Sequence, residues 1–193
     1  LWGHRQLNIP SQSSCVGTHC LHAVGCAEAG VLYGRLPQIE GRDGLFSPDE
    51  ISYISIGEGG TSEGEFWESL NTACNAKAPV LFLVEDNGYA ISVPVGTQTP
   101  GGDISRLVSG FPGLLVQRCD GTDYVGSYRA LEAAIGHVRA GQGPALVHAT
   151  VTRPYSHSHS DDERLYKPPA EREAEARRDP LVRVRTLLMQ EGI

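Results

Sequence analysis

Ile56-Gly57-Glu58-Gly59-Gly60-Thr61 is a glycine-rich turn between a β-branched run and a helical one. Small residues let backbone N–H groups approach an anion, and a helix N-terminus favours its charge. The turn departs from two phosphate loops. Ser62 stands where a dinucleotide fingerprint wants glycine, and no Gly-Lys-Ser/Thr follows. It also holds an acid. A carboxylate beside a diphosphate is repulsive unless a cation lies between them, so Glu58 reads as a metal ligand. Magnesium fits, because it takes few protein oxygens and shares phosphate ones. Asp86-Asn87-Gly88-Tyr89 follows the next apolar run, with Asn87 29 residues after Glu58. Asn87 offers a neutral amide oxygen, and Gly88 permits a tight turn that aims the Tyr89 carbonyl at the same point. The opposing reading is that both are ordinary turns, and spacing alone does not separate the two.

Arg153–Pro169 is rich in histidine, serine, acids and proline, without periodicity. His157 and His159 form an H-x-H, which alone is a poor metal signal, and loop histidines are usually solvated. An imidazole with its ordinary pKa of about 6.5 nevertheless suits proton delivery at neutral pH. His19, His22, His137 and His148 fall on expected helices or a strand and read as structural. Trp67 belongs to a helical apolar stripe and reads as core.

The elements that must carry these residues alternate. Leu21, Val24, Val31 and Leu32 predict a helix over 18–34. A polar stretch, Pro37–Pro48, precedes a strand over Ser52–Ile56. Phe66, Trp67, Leu70, Ala73 and Cys74 then line one helix face, and Ser62 with Glu65 forms an expected capping box. A strand over Val80–Val84 leads into a loop from Glu85 to Gly102. A short helix near Asp103–Val108 and a strand near Leu114–Gln117 come next. The following helix, carrying Tyr128, Leu131, Ile135 and Val138, is expected to cap at Thr122 or Asp123. Ala145–Thr150 is a last strand. The charged tail from Ala170 reads as a helix with Leu181, Val184 and Leu188 on one side. Strands separated by helices imply parallel β-α-β units. The expected fold is therefore α/β, a three-layer sandwich around a mostly parallel sheet. Residues 1–169 would form one domain with its loop at 152–162, and 170–193 a charged C-terminal helix. Ligands of such sheets sit beyond the carboxyl ends of the strands. Three loops leave those ends: Gly57–Thr61, Glu85–Ile91 and Thr152–Asp162.

Composition narrows the function classes. The 193 residues carry 16 Lys+Arg against 23 Asp+Glu, a net charge of −7, which disfavours a nucleic-acid partner. No apolar run approaches the roughly 18–20 residues that span a membrane. The start shows no secretory signal and no Met, which suggests a fragment or processed chain. The five cysteines are odd in number and lack C-x-x-C spacing, so reduced thiols in the cytoplasm are expected, without a zinc site.

GEGGTSEGEF, a strand, then EDNGYAIS resembles the thiamine diphosphate motif: Gly-Asp-Gly, a spacer, then Asn-Asn. More closely it is similar to the alpha subunit of 2-oxo acid dehydrogenases, the decarboxylating component of the branched-chain and pyruvate complexes. NIPSQSSCVGTHCLHAVGCAEA is similar to that family's cofactor-contacting segment and helix. RPYSHSHSDD is similar to its active-site loop, whose core is His-Ser-x-Ser-Asp. The resemblance spans nearly the whole chain. It implies Glu58 and Asn87 as side-chain magnesium ligands and the Tyr89 carbonyl as a third. It implies Gly59 and Gly60 as backbone diphosphate contacts, and Ser14 and Val16 beside the aminopyrimidine ring. His157 matches the active-site histidine, Arg153 an arginine opening the same loop, and Ser158 a serine phosphorylated in mitochondrial members. Glu58 replaces the commoner Asp, as in branched-chain members. Glu85 and Asp86 are added acids that weaken anion binding unless they point away or pair with Arg. The family's upstream Tyr-Arg segment would lie before Leu1.

The implied activity is oxidative decarboxylation of a 2-oxo acid, branched-chain first and pyruvate next. The acyl group passes to a lipoyl group on a dihydrolipoyl acyltransferase. The implied partners are a beta subunit or fused pyrimidine-binding half, in an α2β2-type assembly. Its location would be cytoplasmic, or the mitochondrial matrix in a eukaryote. Acetoin-cleaving and transketolase-like enzymes share the diphosphate motif. A non-catalytic fragment that has lost cofactor binding is the alternative from another class.

Overall fold

A computed structural model describes residues 3–36, 38–39 and 47–193. Most of the polar stretch over 37–48, and the first two residues, lie outside them. Its centre is a four-stranded parallel sheet built from β1 (Ser52–Gly57), β2 (Val80–Asp86), β5 (Leu115–Asp120) and β6 (Ala145–Thr150), in the order β1-β2-β6-β5. A two-strand hairpin, β3 (Tyr89–Ala90) and β4 (Val93–Pro94), follows β2.

The central strands β2 and β6 are buried on both faces because helices cover both, whereas the edge strands β1 and β5 are only partly covered. On one face Val80, Phe82 and Val84 of β2 pack with Cys20, Val24 and Ala27 of α1 (Thr18–Arg35) and Phe66, Leu70 and Ala73 of α2 (Gly64–Ala76). On the other, Leu81 and Val147 meet Ala130, Ala134 and Val138 of α5 (Tyr124–Arg139). This is the expected three-layer α/β sandwich. Asp123 caps α5, its carboxylate accepting from the Val125 N–H at 3.1 Å.

Three local expectations change. The capping box at Ser62 does not form: 58–62 winds into a 3-10 turn, Ser62 is spent in it, and Glu63 becomes the N-cap of α2 without a side-chain bond. The stretch 85–102 is more ordered than a loop. It holds the hairpin and α3 (Val95–Gln98), and α4 (Ile104–Val108) follows, capped by Asp103 onto the Arg106 N–H. The tail is two helices, α6 (Pro169–Ala176) and α7 (Pro180–Gln190). Pro180 disfavours helical backbone at the residue before it, and Asp179 restarts the chain as an N-cap onto Leu181.

The tail is tied to the sheet. Arg178 and Arg183 pair with Asp120 at the end of β5, at 3.1 and 2.9 Å. Together with Thr122 they hold the Asp120 carboxyl well below the usual carboxylate range, against the opposing pull of burial. Among the described residues no helix is long and apolar enough to cross a membrane, and all five cysteines are free thiols.

Candidate active site

Parallel register puts the carboxyl ends of β1 and β2 side by side: Gly57 lies opposite Glu85, and Asp86 opposite Thr150 of β6. The turns that leave those ends therefore meet. Glu58, first residue of the 3-10 turn, is 1 % exposed, and its Oε2 accepts the Asn87 N–H at 3.2 Å. Its Oε1 is buried without a partner, and so is Oδ1 of Asn87. Two oxygen acceptors are thus left unsatisfied in a buried place, a costly arrangement that calls for an occupant. Tyr89 adds a third oxygen. Its hairpin neighbour is Pro94, which has no N–H, so the Tyr89 carbonyl receives no bond across the ladder from that residue. The Glu58 carboxylate and the neutral Asn87 oxygen are donors that suit a small hard cation. Burial pushes the Glu58 carboxyl up from its ordinary value, while the Asn87 N–H and the Arg153 charge act the other way.

The glycines are fixed by contact. A Cβ at Gly59 would lie 2.6 Å from Ala90 Cβ and 3.1 Å from its Cα. At Gly60 it would lie 2.7 Å from Ile56 Cγ1 and 3.2 Å from Val16 Cγ1, so Val16 does reach the turn. Ser14 is exposed, and among the described residues no hydrogen bond joins it to the turn. Gly59→Ala is expected to cost about 1–3 kcal/mol, the usual overpacking penalty, because the obstacle at Ala90 includes backbone. Denaturant unfolding checks this, and an unchanged midpoint would remove the close-approach argument.

The two added acids are both hydrogen-bonded, and the Asp86 charge adds to the upward push on Glu58. Glu85 accepts from Ser55 Oγ at 2.7 Å. Asp86 takes His148 Nε2 at 2.8 Å and the Gly88 N–H at 2.9 Å. His19, expected to be structural, bonds the Ser55 carbonyl at 3.0 Å, and His148 is buried beside Asp86.

The loop after β6 is anchored to the hairpin. Arg153 donates to the Ile91 carbonyl at 2.8 Å and to the Tyr166 hydroxyl at 2.7 Å, between the rings of Tyr89 and Tyr166. Tyr166 donates to Asp161 at 2.6 Å, and Asp161 also accepts the His157 N–H at 2.8 Å. Lost solvent and the Asp161 carboxylate push the Tyr166 hydroxyl up to about 12, so it stays a donor. His157 and His159 are exposed, and among the described residues neither imidazole makes a hydrogen bond. The loop therefore presents His157 to solvent and does not place it against Glu58. A cavity of about 380 Å³ opens beside it, lined by Tyr155, Ser156, Asp161 and Arg172.

Sequence reasoning missed Tyr166, the Ile91 carbonyl and Lys167. Lys167 is buried, 2.6 Å from Glu175 Oε2 and 5.0 Å from the centre of the Tyr89 ring. No motif marks these three: the Ile91 carbonyl bonds Arg153 62 residues on, and Tyr166 and Lys167 lie in a stretch without periodicity. Among the described residues there is no cluster of three His, Cys, Asp or Glu side chains that could hold a metal.

Comparison with known proteins places the chain in a family. The profile of the family described as "Dehydrogenase E1 component" matches residues 3–193. The 3-methyl-2-oxobutanoate dehydrogenase subunit alpha of Mycobacterium tuberculosis is 36 % identical over 180 residues, covering 92 % of this chain and 45 % of that protein. The 2-oxoisovalerate dehydrogenase subunit alpha of Bacillus subtilis is 33 % identical, over all of this chain and 54 % of its own length. The pyruvate dehydrogenase E1 component subunit alpha of Staphylococcus aureus is 35 % identical over 97 % of this chain and 47 % of its own. The chain thus spans about half the length of the curated relatives it matches. Among solved structures, a candidate thiamin diphosphate-dependent enzyme from Mycobacterium smegmatis superposes with a TM-score of 0.51 at 26 % identity, covering 73 % of this chain and 23 % of that one. A matched profile over nearly every residue and a sheet that joins the two loops of its motif lead to one conclusion: the chain belongs to the dehydrogenase E1 component family, and the curated relatives named here are its alpha subunits.

Proposed function

We propose that this chain is the diphosphate-binding half of a thiamine diphosphate- and magnesium-dependent 2-oxo acid dehydrogenase. The observation that carries the reading is the pair of buried, unpartnered oxygens, Glu58 Oε1 and Asn87 Oδ1, on adjacent strand ends. Glu58, Asn87 and the Tyr89 carbonyl would hold magnesium. The backbone at Gly59 and Gly60 would meet the diphosphate, and Ser14 and Val16 the aminopyrimidine. Thiamine diphosphate, when bound, supplies the carbanion and electron-sink chemistry that decarboxylation needs. Arg153 anchors the loop to the hairpin, and His157 is the proton donor or charge stabiliser for acyl transfer to a lipoyl group. The substrate is a branched-chain 2-oxo acid, with pyruvate next, since the relatives include both kinds. The partners are a beta subunit or fused pyrimidine-binding half, and a lipoyl-bearing acyltransferase.

Calorimetry of thiamine diphosphate with magnesium, with and without the beta partner, tests the reading. Magnesium-dependent binding is expected with the partner present. His157→Ala is expected to spare that binding and lower lipoyl acylation. Absence of magnesium-dependent binding even in the assembled enzyme would refute the proposal. The alternative is a fragment without cofactor binding, supported by the added acids Glu85 and Asp86; the buried, unpartnered oxygens of Glu58 and Asn87 argue against it.

A further inference from the structure

We propose that His148 is a positioning residue for the cation site, acting through Asp86 on the turn that carries Asn87. This rests on the reading of Glu58 and Asn87 as cation ligands. His148 lies in β6 beside β2, opposite Val84, and is 5 % exposed. Its Nε2 is 2.8 Å from Asp86 Oδ2, and its Nδ1 is 3.5 Å from Asp103 Oδ1. A histidine that only filled space in an aliphatic layer would need neither carboxylate.

Both ends of this chain are fixed. Asp103 caps α4, accepts from Ser105 Oγ at 2.6 Å and pairs with Arg118 of β5. It gives the imidazole a rigid neighbour on one side. On the other, Asp86 divides its two oxygens. Oδ2 takes the imidazole, and Oδ1 accepts the Gly88 N–H at 2.9 Å. The second bond closes a side-chain turn across Asn87, whose own N–H is held by Glu58. The backbone cannot slide, because the Asp86 carbonyl accepts the Val151 N–H at 2.8 Å. With the strand end pinned, the Asp86 rotamer decides whether Gly88 is held, and His148 decides the Asp86 rotamer. The unpartnered Asn87 oxygen and the Asn87 N–H that steadies Glu58 are thereby set from one imidazole. Partners that orient metal ligands typically cost about 10–100-fold in metal affinity when removed.

The test is manganese(II) binding to the assembled enzyme with thiamine diphosphate, read from the free-ion electron paramagnetic resonance signal, with melting measured without the ion. His148→Asn removes the contact at the Nε2 position and is expected to weaken manganese affinity about tenfold or more. His148→Gln carries an amide N–H to the place of Nε2 and is expected to recover affinity to within about threefold of wild type. Both should melt alike. Equal affinity loss in the two variants, or none in either, would overturn the proposal, since a packing residue shows no such split. If His148→Asn does not fold, Asp86→Asn gives the same readout. It keeps the acceptor for Gly88 and weakens only the link to the imidazole, so unchanged affinity there also overturns the inference. Asn87→Ala separates the levels. Wild-type manganese affinity in that variant refutes the reading of the site itself. Weakened affinity in Asn87→Ala with His148→Asn unaffected refutes the positioning role alone.

Discussion

Glu58→Gln is expected to weaken magnesium-dependent thiamine diphosphate binding by on the order of a hundredfold or more, because it removes the one charged donor of the site. The same variant should fold at least as well as the wild type without ligand. Glu58 is buried with one oxygen unpartnered, and burial pushes its carboxyl up from the ordinary 4.5. An acid whose folded pKa is raised costs no stability at pH values well below 4.5. The penalty sets in as pH rises through the window above that value, where the folded state holds its proton and the unfolded state releases it. Glutamine keeps the shape and the acceptor for the Asn87 N–H, and carries no charge to bury. The two proteins should therefore respond oppositely. Wild type gains melting temperature on adding magnesium and thiamine diphosphate, since a ligand stabilises the state that binds it. The variant starts at or above the wild-type value and gains little. Thermal melts with and without ligand, in the assembled enzyme, check both halves. A glutamine variant that is stabilised like the wild type would remove Glu58 from the cation site.

The sheet and the site entered the sequence in different ways. Val80–Val84 and Ala145–Thr150 are continuous apolar runs bounded by turn residues, and such runs report buried parallel strands directly. α2 and α5 carry apolar stripes at helical spacing, so their faces were legible as well. The ends were less so, because Ser62 satisfies a capping pattern that the 3-10 turn at 58–62 pre-empts. Two motifs fixed the meeting of Glu58 and Asn87, since one strand-helix-strand unit must bring its two strand ends together. What local pattern does not encode is which groups a burial leaves unpaired. Asp86 and Glu85 read as obstacles to an anion, and their bonds to His148 and Ser55 could not be read from the sequence. Tyr166 and Lys167 were invisible because they and their nearer partners, Arg153, Asp161 and Glu163, lie in a stretch without periodicity. The loop histidine shows the reverse. A motif names His157, whereas the fold of this chain alone leaves it in solvent.

Lys167→Ala should cost about 3–5 kcal/mol, the penalty for breaking a buried ion pair by removing one member. Lys167 has no exposed side-chain surface, and its Nζ lies 2.6 Å from Glu175 Oε2 and 4.0 Å from Glu163 Oε2, both largely buried. Without the ammonium two largely buried carboxylates lose their neutralising charge. Glu163 Oε2 already lacks a hydrogen bond, so nothing nearby replaces the lost charge. The ammonium also lies over the Tyr89 ring, whose hydroxyl donates to Glu171 of α6 at 3.1 Å. Loss of Lys167 therefore loosens α6 and the hairpin together, and cation affinity should fall with stability. Lys167→Met should be as damaging as alanine, because it keeps the stem and loses the charge. Lys167→Met combined with Glu175→Leu should recover more than half of the loss, since an apolar pair of similar volume removes the stranded charge. The exposed pair of Arg164 with Asp162 at 2.7 Å is the contrast: Arg164→Ala should leave the unfolding midpoint unchanged, because solvent screens such a pair. Urea unfolding of the four variants decides the matter. A Lys167→Ala protein as stable as Arg164→Ala would mean that the burial of Lys167 contributes nothing to holding Tyr89, and the anchoring of the hairpin would fall to Arg153 alone.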